Sequence, residues 1–158
     1  MPDIVPCLWF DTQAEEAANF YVSVFPDSKV TRVDYYGDAG PRPAGSVITA
    51  EFELDGKPFV ALNGGPEFMF DEAVSLQVLC KDQAEVDHYW SALTADGGEE
   101  SQCGWLKDRF GFSWQIVPTR LTELLRDPDP GRSGRAMQAM LRMRKIVIAD
   151  LEAAAAGA

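Results

Sequence analysis

At 158 residues the chain can bury one sizeable core, and 46% hydrophobic with 25% charged residues fits a folded globular protein rather than a disordered one. No apolar run approaches the roughly 20 residues a membrane span needs, so no membrane partner is expected. Net charge is −11, and the first hundred residues carry 19 acids against 5 bases, which argues against nucleic acid as the main partner.

The elements read in order. "IVPCLWF" (4–10) is strand-like and ends at Asp11. "TQAEEAANFYVSVF" (12–25) reads as a helix with Thr12 and Glu15 as a capping box, closed by Pro26. Strands at 29–36 and 46–54 flank the loop "GDAGPRPAG", and Asp55-Gly56 turns the chain into a returning strand, 57–63. That hairpin sets Leu54 opposite Lys57, Phe52 opposite Phe59, Ala50 opposite Ala61 and Ile48 opposite Asn63.

After "GGPEF" the order begins again. A strand at 73–80 leads to a helix at 82–98 capped by Asp82, then short strands near 100–107 and at 113–117, the last stopped by Pro118. The fold class is therefore α+β, two tandem βαβββ modules in one domain over 1–158. Module one covers 1–66, module two 72–118, and a C-terminal helical segment 119–156. That segment reads as a short helix at 119–127, the turn "DPDPG" and a longer helix from 133 to 155. Met137, Met140, Leu141, Ile148 and Leu151 form its apolar stripe. The bases from Arg132 to Lys145 suit a cationic helix against an acidic body, its own or a second subunit's.

Alternation along the strands sets Ser75, Gln77 and Gln115 opposite the apolar helix-side row Val74, Leu76, Val78 and Cys80. Asn63 interrupts an apolar face in the first module. A neutral amide facing a core needs a hydrogen bond, so these four residues are expected to line a partly polar cavity. The alternative is a sheet face open to solvent.

Other chemistries lack their residues. The one histidine, His88, lies on the polar side of its helix, so neither a Ser-His-Asp set nor a His-rich metal site can form. No GxGxxG or GxxxxGK[ST] loop is present. Cys7, Cys80 and Cys103 are odd in number and lack CxxC spacing, so they read as reduced thiols, with Cys103 a buried one rather than a nucleophile. With no basic start or cleavage site at the N-terminus, a cytoplasmic location is expected.

Four stretches, "LWFDTQAEEAANFYVSVFPDS", "FVALNGGPEFMFDEAVSLQVLC", "CGWLKDRFGFSWQIVP" and "AMQAMLRMRKIVIADLEAA", closely resemble the PhnB-like family. That family is often labelled 3-demethylubiquinone-9 3-methyltransferase. It belongs to the glyoxalase/bleomycin-resistance/extradiol-dioxygenase (vicinal oxygen chelate) superfamily. The resemblance implies paired modules forming an open barrel-like sheet around a ligand cavity, as a homodimer. The superfamily's metalloenzymes hold a divalent ion with inward His, Glu or Gln residues from four strands. By motif, Gln115 stands at the carboxylate position and Ser75 at a histidine position. Pro6 and Ala61, with Asn63 beside it, stand at the other two. Three of the four have little capacity to ligate, so no metal and no cofactor is expected. No glycine-rich loop after the first strand offers a sulfonium donor a place, so the methyltransferase label is not read as an activity.

The expectation is a metal-independent protein binding a small, partly apolar molecule. Phe10, Phe52, Phe59 and Trp105 would form its walls, and Asn63, Ser75, Gln77 and Gln115 would orient the ligand. No catalytic residue is assigned. The alternatives are a metal-dependent lyase or dioxygenase with unconventional ligands, and a dimeric interaction protein without a ligand.

Overall fold

Asp55 and Gly56 both take positive φ (50° and 71°), the backbone of a tight hairpin turn, and this turn sets the first sheet. In a computed structural model describing residues 1–158, that sheet belongs to the first of two compact units, Met1–Phe70 and Asp71–Ala158. The first unit runs β1 (Cys7–Phe10), α1 (Ala14–Val24), β2 (Lys29–Tyr35), β3 (Val47–Leu54) and β4 (Lys57–Asn63). Its sheet order is β1-β4-β3-β2, with β1 parallel to β4 and the other pairs antiparallel. Leu54↔Lys57, Phe52↔Phe59 and Ala50↔Ala61 pair as the sequence predicts.

Alternation then divides the residues. Leu8, Phe10, Ala50, Phe52, Phe59 and Ala61 are buried with Ala14, Ala17, Ala18 and Tyr21 of α1. Phe52 stacks on Phe59 at 5.4 Å and lies 6.1 Å from Tyr21. Each such ring removed from water contributes about 1.5–3 kcal/mol. The opposite face carries Cys7, Trp9, Thr49, Glu51, Val60 and Leu62, none of them fully buried.

The predicted capping box of α1 does not form. The helix starts at Ala14, and its N-cap Gln13 makes no side-chain bond. Asn63 caps it instead: Ala14 N–H donates to Asn63 Oδ1 at 2.8 Å.

The second unit repeats the order with β5 (Ser75–Cys80), α2 (Gln83–Thr94), a 3-10 turn (Ala95–Gly97), β6 (Glu99–Glu100), β7 (Trp105–Lys107) and β8 (Ser113–Pro118). Its sheet order is β5-β8-β7-β6, with β5 parallel to β8. Here the predicted cap holds, since Asp82 Oδ1 accepts from Glu85 N–H at 2.9 Å. Both sheets are open and four-stranded.

Three helices complete this unit: α3 (Thr119–Leu125), α4 (Pro130–Met140) and α5 (Ile148–Ala156). The single long helix expected over 133–155 is interrupted at 141–147. The carbonyls of Met143 and Arg144 accept from the N–H groups of Cys103 and Gly104, both at 2.8 Å, and so leave helical geometry. Gly104 is required there. Its φ is +85°, and a Cβ would lie 2.9 Å from the Ile116 carbonyl oxygen. The break redistributes the expected stripe: Leu151 is buried with Leu121, Leu124, Ala136 and Ile146, while Met137 and Leu141 are exposed.

Candidate functional site

In β8, Trp114 and Ile116 are buried on the helix side, which turns Ser113, Gln115 and Val117 to the other face. The parallel register sets Ser75 beside Ser113, Gln77 beside Gln115 and Leu79 beside Val117. On the other side of β8, β7 sets Trp105 beside Gln115 and Lys107 beside Ser113. Four of the predicted residues, Ser75, Gln77, Trp105 and Gln115, therefore meet on one face of one sheet.

They are bonded as well as adjacent. Gln115 Nε2 donates to Ser75 Oγ at 2.8 Å, and Gln77 Nε2 reaches Gln115 Oε1 at 3.4 Å. Gln115 is half-buried and Gln77 exposed, so the row combines fixed groups with reachable ones. Gln77 Oε1 and the Ser75 hydroxyl proton make no bond within the protein, and both can bond a ligand. Leu79 on the same face is 64% exposed, an apolar neighbour to the amides.

The turn before β8 holds this row in place. Asp108, 2% exposed, accepts from Phe110 N–H and Phe112 N–H through Oδ1 (2.9 and 3.1 Å) and from Trp114 Nε1 through Oδ2 at 2.8 Å. Three donors on one buried carboxylate fix where Trp114 points, and alternation then fixes Gln115. Strand alternation alone does not reveal Asp108, which lies in the turn before β8. Its signal is an Asp opening a tight Gly-containing turn into a strand.

The other four predicted residues lie elsewhere. Phe10, Phe52 and Phe59 are 3, 1 and 9% exposed in the core beneath α1, and Asn63 is 5% exposed. Both ends of the Asn63 amide are engaged, Oδ1 by Ala14 N–H and Nδ2 by the Val47 carbonyl. The three rings pack the core of the first unit, while Asn63 caps α1 and lines a separate cavity of about 590 Å³ with Thr12, Glu15, Asn19 and Arg42. Ala61 is likewise on the covered face. Pro6 gives its carbonyl to Val60 N–H in the ladder.

The superfamily's divalent ion does not fit these donors. The row provides one hydroxyl and two neutral amides, without an imidazole or carboxylate. No three His, Cys, Asp or Glu side chains are grouped to hold a metal ion. His88 is exposed on α2. Burial pushes the Cys80 thiol up to about 12, which leaves it unionised, and Cys7 is raised by burial too.

Near the row, Lys107 pairs with Glu72. That bond raises the lysine and lowers the carboxylate from their ordinary values. Both therefore carry full charge near neutrality.

Residues 2–117 match the family described as 3-demethylubiquinone-9 3-methyltransferase. No curated protein matches. Among solved structures, a Bacillus cereus PhnB protein named for the same methyltransferase is 33% identical, with 74% of this chain and 99% of that one covered and a TM-score of 0.67. Protein PA1353 of Pseudomonas aeruginosa is 22% identical over 75% of this chain and 98% of its own, TM-score 0.61. The fosfomycin resistance protein FosX of Listeria monocytogenes is 12% identical over 75% and 93%, TM-score 0.51, a likeness of fold alone. The chain belongs to the 3-demethylubiquinone-9 3-methyltransferase family and has the two-module fold of the vicinal oxygen chelate superfamily.

Proposed function

We propose that the protein binds a small, partly apolar molecule on the open face of the second sheet. Ser75, Gln77 and Gln115 would orient it, and Trp105 with Leu79 would supply apolar surface. The observation that carries this reading is the bonded row of neutral amides and a hydroxyl, in which Gln77 is exposed and Gln115 half-buried. A sheet face meant only for water has no need of an amide held by two partners. The reading is of a metal-independent binder, and methyl transfer is no part of it. Free Cys7, Cys80 and Cys103 support a reducing, cytoplasmic setting. Exposed Val74, just before the edge strand β5, and Leu79 on it support a homodimer.

The test is a thermal-shift ligand screen followed by titration of Gln115 variants. Gln115→Ala is expected to cost about 1 kcal/mol of stability or less, because Ser75 Oγ stays within reach of water. Gln115→Leu keeps the bulk and should hold the fold while weakening a confirmed ligand about tenfold or more, the value of one or two lost hydrogen bonds. Unchanged affinity in Gln115→Leu removes this row from the site.

A further inference from the structure

The open face of the second sheet continues past Trp105 into a small cleft of about 150 Å³, lined by Glu72, Glu99, Trp105, Lys107 and Ser113. Ser113 stands between Ser75 and Lys107 in the strand register. It is 1% exposed, and no protein group pairs with its Oγ. A buried hydroxyl that bonds nothing is a standing cost, one that an alanine in the same place would avoid.

The charges around it have one dominant sign. Lys107 is engaged by Glu72 and faces Glu99 across the β6–β7 pairing. Glu100, at the rim, accepts from Trp90 Nε1 at 2.7 Å and pairs with Arg144. Glu99 thus remains as the carboxylate on the open row whose neighbouring cation is already held by another acid. An anion entering here would meet Glu72 and Glu99 together. A cation would meet them as counter-charges, with an indole alongside.

We infer that this cleft takes the protonated amine of a small organic ligand, with Ser113 Oγ accepting one N–H, Glu99 supplying counter-charge and Trp105 lying against the carbon skeleton. The inference rests on the small-molecule reading of the open face and adds the charged group that the molecule carries. Lys107 stays an ammonium in this arrangement, because its bond to Glu72 raises it, so it acts as a wall and not as a nucleophile.

Three probes with one ring and different charge test it on the full chain: benzylammonium chloride, benzyl alcohol and sodium benzoate. Each is titrated into 15N-labelled protein while the Trp105 indole and Ser113 amide signals are followed. The expected result is a saturable shift with benzylammonium, a much weaker one with the alcohol and none with benzoate. Ser113→Ala and Glu99→Gln should each weaken benzylammonium by about 3- to 10-fold. Glu99 is exposed, so Glu99→Gln tests the charge even if Ser113→Ala perturbs the strand. The inference is overturned by alcohol binding equal to amine binding, by unchanged affinity in both variants, or by no saturable shift at Trp105 and Ser113. None of these bears on the Gln115→Leu measurement, which judges the open-face reading separately.

Discussion

Asn63 Oδ1 accepts the buried N–H of Ala14 while its Nδ2 donates to the Val47 carbonyl, so one amide closes the first turn of α1 and the start of β3 together. Removing it strands two backbone groups that helix and sheet cannot satisfy. Asn63→Ala should cost about 1–3 kcal/mol, seen as a lower midpoint in urea unfolding. An unchanged midpoint would show that water replaces the amide at the helix start. At this scale the sequence was half legible. Polar residues at apolar positions were correctly seen as needing partners, and for Gln115 and Ser75 the partners lie on the open face. For Asn63 the partner is the backbone of a helix 49 residues away. A pattern of alternating faces cannot register such a bond, because it says which way a side chain points and not what lies there. Asp108 went unread for the same reason: its three donors appear only once the turn from Asp108 to Phe112 has closed.

Among the elements, strands and the α2 cap were legible because period and turn chemistry agree locally. Asp55-Gly56 set a register that the sheet adopts from Leu54↔Lys57 through Ala50↔Ala61. The helix over 133–155 was not legible, because tertiary contacts break it. Gln83 on α2 grips the interruption from both sides, its Nε2 donating to the Ile146 carbonyl at 2.9 Å and its Oε1 accepting from Ile148 N–H at 2.8 Å. Lys145 adds a bond to Asp87 at 2.7 Å on the same helix. Gln83→Ala should therefore raise hydrogen exchange at the amides of Cys103, Gly104 and Ile148 before it affects the strands. Acid should act similarly. Lys145 and Gln83 hold Asp87 below its ordinary carboxylate value. A depressed carboxylate contributes stability above its unfolded value of about 4 and loses it as pH falls through the lower folded one. Exchange protection at Cys103 and Gly104 should thus be constant from pH 8 to about 5 and fall below about pH 4. Protection unchanged below pH 3 would exclude the Asp87 contact as a fastening.

For the whole molecule, the sequence separates an acidic first hundred residues from a mildly basic remainder, and the second unit puts that separation to use. Arg132 pairs with Asp127, Arg144 with Glu100 and Lys145 with Asp87, while Arg135 donates to the Ala154 and Ala155 carbonyls at the end of α5. All of these partners belong to one unit. Apolar burial outweighs them. Ile146 and Leu151 are fully buried, worth about 1.5–3 kcal/mol each, whereas partly exposed ion pairs are screened by water and salt. Truncation after Pro130 should then lower the melting temperature or cause aggregation, while about 0.5 M salt should leave it nearly unchanged. A truncated protein that melts like the full chain would make the segment dispensable. The parallel pairing of β5 with β8 has a further consequence during synthesis. Gln77 meets Gln115 only when 38 more residues have been made. At about 5–20 residues per second, β5 leaves the ribosome some 2–8 s before its sole strand neighbour, with Leu76, Val78 and Leu79 uncovered meanwhile. The face on which we place the ligand thus comes into being only after β8 has been made, and until then β5 has no strand to pair with.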